Sequence, residues 1–250
     1  MRPILLGVLA AFFFAFTFLL NRMMDLEGGS WIWSASLRYF FMVPPLIVIV
    51  AFRRGLGTLW QEMKKKPLEW LLWSTVGFGL FYGPLCFAAS YGPGWLMAAT
   101  WQITIISGSL LAPFFYETIQ TARGPVQIRG HIPARGLAMS SLILLGVALT
   151  QFEHAARIPF TDVLLCVIPI IIASFAYPLG NRKMMAIVSD RLDAYQRVLG
   201  MTFASLPFWF MLSLYGAAVD GPPKLRTNSS NGMGGVVFWS DCHCYVFCSY

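Results

Sequence analysis

"FLLNRMMD" (residues 18–25) closes the first apolar run of the chain, and "PLGNRKMM" (residues 178–185) closes another. Both write Asn-Arg-x-Met where a greasy segment gives way to a connector, at Asn21 and at Asn181. A second echo follows each. "SLRYFF" (residues 36–41) opens the next apolar run after the first, and "YQRVLG" (residues 195–200) opens the next after the second. Arg38 comes 17 residues after Asn21, and Arg197 comes 16 after Asn181. Two related halves starting near residues 1 and 158 explain this spacing. If each half holds about five spans, an odd number, the second half enters the membrane from the opposite face, which makes an inverted-topology repeat. The competing reading is that Asn merely ends each helix, with the adjacent Arg at the interface.

The composition makes the bilayer the solvent. Hydrophobic residues are 57% of the chain and charged residues 12%, with a mean hydropathy of +0.65. Soluble domains carry roughly 25% charge. A net charge of +7 invites a nucleic-acid reading. The basic residues argue against it, because they fill the gaps between apolar runs instead of forming one stripe. Basic connectors are what membrane topology requires.

About 20 apolar residues cross the hydrocarbon as a helix. Runs at residues 4–20, 31–52, 68–90, 95–115, 136–150, 161–179 and 197–216 predict seven spans, and 234–250 is a weak eighth. The first run is followed by Asn21-Arg22-Met23-Met24 and not by a small-residue cleavage site, so it reads as a retained span. The connectors alternate in charge. The side of the N-terminus holds 13 Lys and Arg, the other side four, and Arg38 lies within a span. That bias predicts a cytoplasmic N-terminus in the cell (inner) membrane. Trp31, Trp33, Trp70, Trp73 and Trp95 fall near span ends, where indoles favour the interface.

"FAASYGPGWLMAATWQITIISGSLLAPFFYETI" (residues 87–119), followed by "RGLAMSSLILLGVAL" (residues 135–149), resembles the drug/metabolite transporter superfamily with EamA-type repeats. A short outer turn joining spans three and four, Glu117 at the end of the fourth, Gly136 in the fifth and the Gly146-Val147 step match that pattern. Within the superfamily the fit is to the multidrug resistance efflux branch. The resemblance implies an all-α integral membrane bundle of about ten spans in two inverted five-helix repeats, moving a small molecule. Here the second repeat is incomplete: residues 1–157 form a first repeat, 158–225 part of a second, and 226–250 an atypical tail. In that tail Ser, Asn and Cys replace the Leu, Ile and Ala of the earlier spans, which reads as a truncated or frameshifted end. A defective, non-transporting fragment is therefore the alternative to a working transporter.

Ionisable groups deep in a membrane are costly and are functional candidates by default. Arg38 lies seven residues beyond Trp31, about 10 Å along a helix at 1.5 Å per residue. It could bind an anionic or carbonyl-rich substrate, or snorkel to the interface. No Asp or Glu is placed mid-span. The embedded carboxylate on which small multidrug exporters depend is thus not carried over by the resemblance. Glu117 reads as a cap or ion-pair partner at the cytoplasmic edge. Within spans, Gln102, Trp101, Thr104, Tyr82 and Tyr177 can bind substrate or bond neighbouring helices. Asn21 and Asn181 are gating candidates. Gly77, Gly79, Gly83, Pro84, Pro169 and Pro178 can kink helices and free carbonyls, or simply allow close packing.

Enzyme signatures are missing. The sequence holds no phosphate loop and no nucleophile elbow, and His131, His154 and His243 fall outside the clear spans. Asp241, Cys242, His243, Cys244 and Cys248 offer metal ligands, but no second closely spaced pair stands at a distance, so no metal is expected. No cofactor and no nucleic acid are expected either. The expected partners are a small-molecule substrate and the lipid bilayer, with a homodimer of the chain as a further expectation. The stretch 121–135 reads as a basic cytoplasmic connector near anionic lipid heads.

Overall fold

The computed structural model describes residues 2–26, 29–121, 124–155, 157–188 and 191–221. The atypical tail with its candidate ligand cluster, and the Glu117 side chain, lie outside the described residues. Among the described residues, six helices are long and apolar enough to cross a membrane: Gly7–Leu26 within α1 (Arg2–Leu26), α2 (Trp31–Phe52), Pro67–Tyr91, α8 (Ala134–Ala155), α9 (Phe160–Val188) and α10 (Ala194–Val219). Pro67–Tyr91 is composite. It runs through α4 (Pro67–Ser74), a π-helical turn at Thr75–Gly79, and α5 (Leu80–Tyr91). Between α2 and α4 lies a short α3 (Leu56–Lys65).

Two expectations are corrected. The fourth run is not one continuous helix. It breaks into α6 (Gly94–Trp101) and α7 (Ile103–Leu110), with Gln102 as the joint. The Thr104 hydroxyl donates to the Trp101 carbonyl at 2.7 Å, satisfying an acceptor at the break. Second, the basic connector after it folds as a β-hairpin, β1 (Tyr116–Thr121) with β2 (Gly124–Arg129), antiparallel in the register Tyr116↔Arg129. Every membrane-crossing element remains helical, as expected where lipid cannot satisfy backbone groups.

Lipid tails are as apolar as leucine, so helices in a bilayer associate through close packing and polar contacts rather than through hydrophobic burial. Two antiparallel pairs carry the bundle. In the first, α2 and α10 are tied at both ends. At one end Arg53 meets Asp193 at 2.7 Å, and the Gln196 amide donates to the Gly55 carbonyl at 2.8 Å. Gln196 also accepts from the Asp193 N–H at 2.7 Å, closing a capping box that starts α10. At the other end the Ser30 hydroxyl donates to Asp220, and the Trp33 indole donates to the Gly221 carbonyl at 3.0 Å.

In the second pair, the π turn and α5 run against α9. A Cβ on Gly180 would stand 2.3 Å from the Gly77 Cα and 2.4 Å from its nitrogen, so the two backbones touch. The π turn exposes this glycine face to its neighbours. A single such turn in an α-helix marks a place where the ladder has been locally re-registered. By contrast α8 buries no residue, which suits a helix facing lipid on nearly every side.

The charged connectors separate to opposite ends of the bundle. Arg53, Glu62 and Arg191 gather at one end, where Glu62 lies 2.5 Å from Lys65 and 3.5 Å from Arg191. Arg22 and Arg157 stand at the other. The Lys65 ammonium donating to Glu62 holds that carboxyl below its ordinary range. A depressed folded-state pKa contributes stability above the unfolded value and loses it as pH falls through the folded value. Glu62→Gln is therefore expected to lower stability at neutral pH, with the gap to the parent closing as pH drops below 4.5. Melting the two proteins across that range checks it; a gap that does not narrow as pH falls refutes it.

Candidate functional site

Three spans deliver polar side chains to one buried point. Arg38 on α2 donates from Nη1 to the Tyr82 hydroxyl at 2.6 Å, and its guanidinium lies 4.4 Å from the Tyr82 ring centroid. Tyr82 on α5 donates in turn to the Asn21 Oδ1 on α1 at 3.2 Å. All three are buried, with exposures of 9%, 2% and 4% in the order Arg38, Tyr82, Asn21. Arg38 thus turns into the bundle; the snorkelling alternative is corrected. The Asn21 Nδ2 is buried and has no hydrogen-bond partner among the described residues. The same is true of the Trp209 indole N–H. Trp209 stacks on Tyr39 with ring centroids 4.4 Å apart and planes within 15°.

Beside this triad lies an aromatic wall. Phe81 contacts Tyr82 at 5.9 Å, Trp101 at 5.2 Å and Tyr177 at 4.9 Å between centroids. Trp101 also meets Tyr177 at 6.0 Å and Phe14 at 5.7 Å. Offset and edge-on rings at these separations hold each other by about 0.5–1.5 kcal/mol per pair beyond burial. Tyr177 is 39% exposed, so one edge of the wall is open.

The sequence candidates divide accordingly. Arg38, Tyr82 and Asn21 come together, and Trp101 and Tyr177 join them through Phe81. Gln102 is exposed at the joint between α6 and α7, outside the cluster. Thr104 is committed to the Trp101 carbonyl. Asn181 bonds its own helix, donating to the Tyr177 carbonyl at 2.9 Å. So the two Asn-Arg pairs of the opening motif do different work. Neither Asn ends its helix, since α1 runs on to Leu26 and α9 to Val188. Arg22 caps a different helix, donating to the Ala89 and Ser90 carbonyls of α5 at 2.8 and 3.1 Å. Its echo Arg182 lies over the Phe115 ring at 5.7 Å. Phe81 and Phe14 escaped the sequence reading because they are apolar in an apolar run; the usable signal was aromatic residues at mid-span instead of at span ends.

One proline is explained by a neighbour. Pro178 has no N–H for the Ser174 carbonyl one turn earlier. The Ser107 hydroxyl, from α7, lies 2.5 Å from that oxygen and 3.0 Å from the Thr104 carbonyl. Its single proton goes to the shorter contact. Ser107→Ala is expected to destabilise by about 1–3 kcal/mol, the cost of an orphaned buried acceptor. Pro178→Ala restores the N–H, so the Ser107→Ala penalty shrinks in its presence. A double-mutant cycle on thermal stability reads the coupling; strictly additive losses refute the pairing.

These features define a multi-pass helical membrane protein. The chain belongs to the family described as "Putative multidrug resistance efflux transporter", whose model matches residues 1–237. That is a family of transporters, not of enzymes. The uncharacterized protein YjlA of Bacillus subtilis (strain 168) is 55% identical over 223 residues, covering 89% of this chain and 69% of its own. An uncharacterized 42.1 kDa protein of Shouchella clausii, encoded in the 3' region of an intracellular alkaline protease, is 50% identical over 237 residues, covering 95% of this chain and 61% of its own. The chain thus spans about two thirds of the length of these relatives. No solved structure matches it.

Proposed function

We propose that the protein is a secondary transporter that exports a small molecule by alternating access, with the buried Arg38–Tyr82–Asn21 triad and the Phe81, Trp101 and Tyr177 wall as its substrate site. The observation that carries this reading is convergence: α1, α2 and α5 each spend a polar side chain on one buried point, in an environment where such groups are costly. The antiparallel pairing of α2 with α10 and of α5 with α9 supports two inverted halves rocking about that point. Direct backbone contact at Gly77 and Gly180 supplies a thin, smooth crossing for such motion. The N-terminus lies in the cytoplasm of the inner membrane, in keeping with the basic end at Arg53, Lys64 and Arg191. Asn181, Gln102 and Thr104 serve the helices that frame the site.

Two measurements test this. Uptake by purified protein in liposomes, with and without a proton gradient and beside the longer relatives, reads transport directly. A chain that moves no probe while the longer relatives do is the non-transporting fragment. Cysteines placed at Lys64 and Arg157 should label from opposite compartments; labelling from one side overturns the inverted arrangement. Light scattering on the same preparation reads whether two copies associate.

A further inference from the structure

We propose that this site takes an aromatic organic anion, a carboxylate or sulfonate on a flat apolar body, and not a lipophilic cation. The inference rests on the reading above, that the triad and the aromatic wall form the substrate site.

Charge placement is the first argument. A ligand carried through low dielectric needs an opposite charge at its binding point. Within the six long spans each carboxylate of the described residues stands within two residues of a span end: Asp25, Glu69, Glu153 and Asp162. Asp25 is further committed, accepting from the Ser90 hydroxyl at 2.7 Å and lying 3.2 Å from Arg22. Nothing in those spans offers a cation a counter-charge at depth. The charged group held seven residues inside a span and buried is a cation itself, Arg38.

The donor set is the second. Arg38 and Asn21 meet at one hydroxyl, and the Asn21 Nδ2 is a buried N–H donor with no acceptor among the described residues. An orphaned buried donor is expensive and calls for an acceptor. An anion oxygen placed beside Tyr82 would accept from Asn21 and add to the bonds Arg38 already makes. Planar guanidinium groups favour anions that present two oxygens side by side, as carboxylates and sulfonates do. The ligand's shape follows from the neighbours. Phe81, Trp101 and Tyr177 present ring faces and edges within 6.0 Å of one another, a surface that stacks a flat apolar body.

The test uses two permanently charged probes, 2-naphthalenesulfonate and tetraphenylphosphonium, which cannot cross the bilayer by gaining or losing a proton. Equilibrium dialysis on the purified full chain reads binding, and counterflow in proteoliposomes reads transport. Saturable binding and counterflow of 2-naphthalenesulfonate are expected, each weakened at least tenfold in Arg38→Lys. Asn21→Asp is the variant that keeps the fold: nearly isosteric, it sets a carboxylate beside Arg38 and should expel the anion while the melting temperature holds. Saturable movement of tetraphenylphosphonium without the sulfonate overturns the anion assignment and leaves the transporter reading standing. Sulfonate binding sensitive to both substitutions, but without counterflow, keeps the anion site and overturns transport. Sulfonate binding indifferent to both substitutions, or no sulfonate binding at all, overturns the proposal.

Discussion

Gly180→Ala is expected to collapse the contact between α9 and the π turn, with a loss of about 1–3 kcal/mol or more from overpacking. The added carbon would stand 2.3 Å from the Gly77 Cα, 2.4 Å from the Gly77 nitrogen and 2.9 Å from the Trp73 carbonyl oxygen. All three are backbone atoms, so no side chain can swing aside. The helices must separate, and with them the Phe81–Tyr177 contact, four residues further along the chain from Gly77. Alanine favours a helix over glycine by up to about 1 kcal/mol, and that gain is too small to compensate. Gly108→Ala is the control, because a carbon added there meets nothing within 4 Å. It should be neutral or slightly stabilising. Thermal unfolding in detergent, followed by loss of the monodisperse species, separates the two; equal melting of both variants refutes the backbone contact.

That contact shows why some of the molecule was legible in the sequence and some was not. Membrane spans are a one-dimensional signal: lipid demands about 20 apolar residues in a row, and the chain displays them. The helical bundle, its spans and the separation of Arg53 from Arg22 follow from it. Helix ends follow less well. Asn21 and Asn181 looked like termini because hydropathy falls there, but a helix can continue into the interface once its carbonyls are satisfied, and both do. The break at Gln102 and the hairpin at Tyr116–Arg129 were hidden for a related reason. Both depend on where backbone bonds go, which composition does not record. Arg38 was visible as a site because charge in an apolar run is rare. Tyr82 and Asn21 were visible as candidates but not as its partners, since they come from other spans and only packing brings them to it. The matching offset of Arg197 proved an unequal echo: it stands in the first turns of α10, half-buried, far from the depth of Arg38.

The remaining large effect concerns that arginine. Arg38→Ala is expected to cut substrate affinity by roughly 10- to 100-fold, since a charged hydrogen bond is worth about 1.5–3 kcal/mol and each 1.4 kcal/mol is tenfold. Arg157→Ala should change transport by less than about twofold, because exposed ion pairs contribute about 0–1 kcal/mol. The contrast is physical. Arg157 lies 3.5 Å from Glu153 with side chains 75% and 82% exposed, so water screens the pair and replaces either partner. Arg38 is buried against Tyr82, where no solvent substitutes for it. Truncation also leaves the Tyr82 hydroxyl without its 2.6 Å donor, which adds a structural cost. Tyr82→Phe separates the two contributions. It removes the hydroxyl bridge while keeping the charge and the ring, so it should weaken binding less than Arg38→Ala if the charge itself holds the ligand. Initial uptake rates at matched protein density, with melting temperatures for all three variants, decide the matter. Equal transport by the Arg38 and Arg157 variants would remove Arg38 from the site, and equal losses in Arg38→Ala and Tyr82→Phe would reduce it to a strut for the bundle.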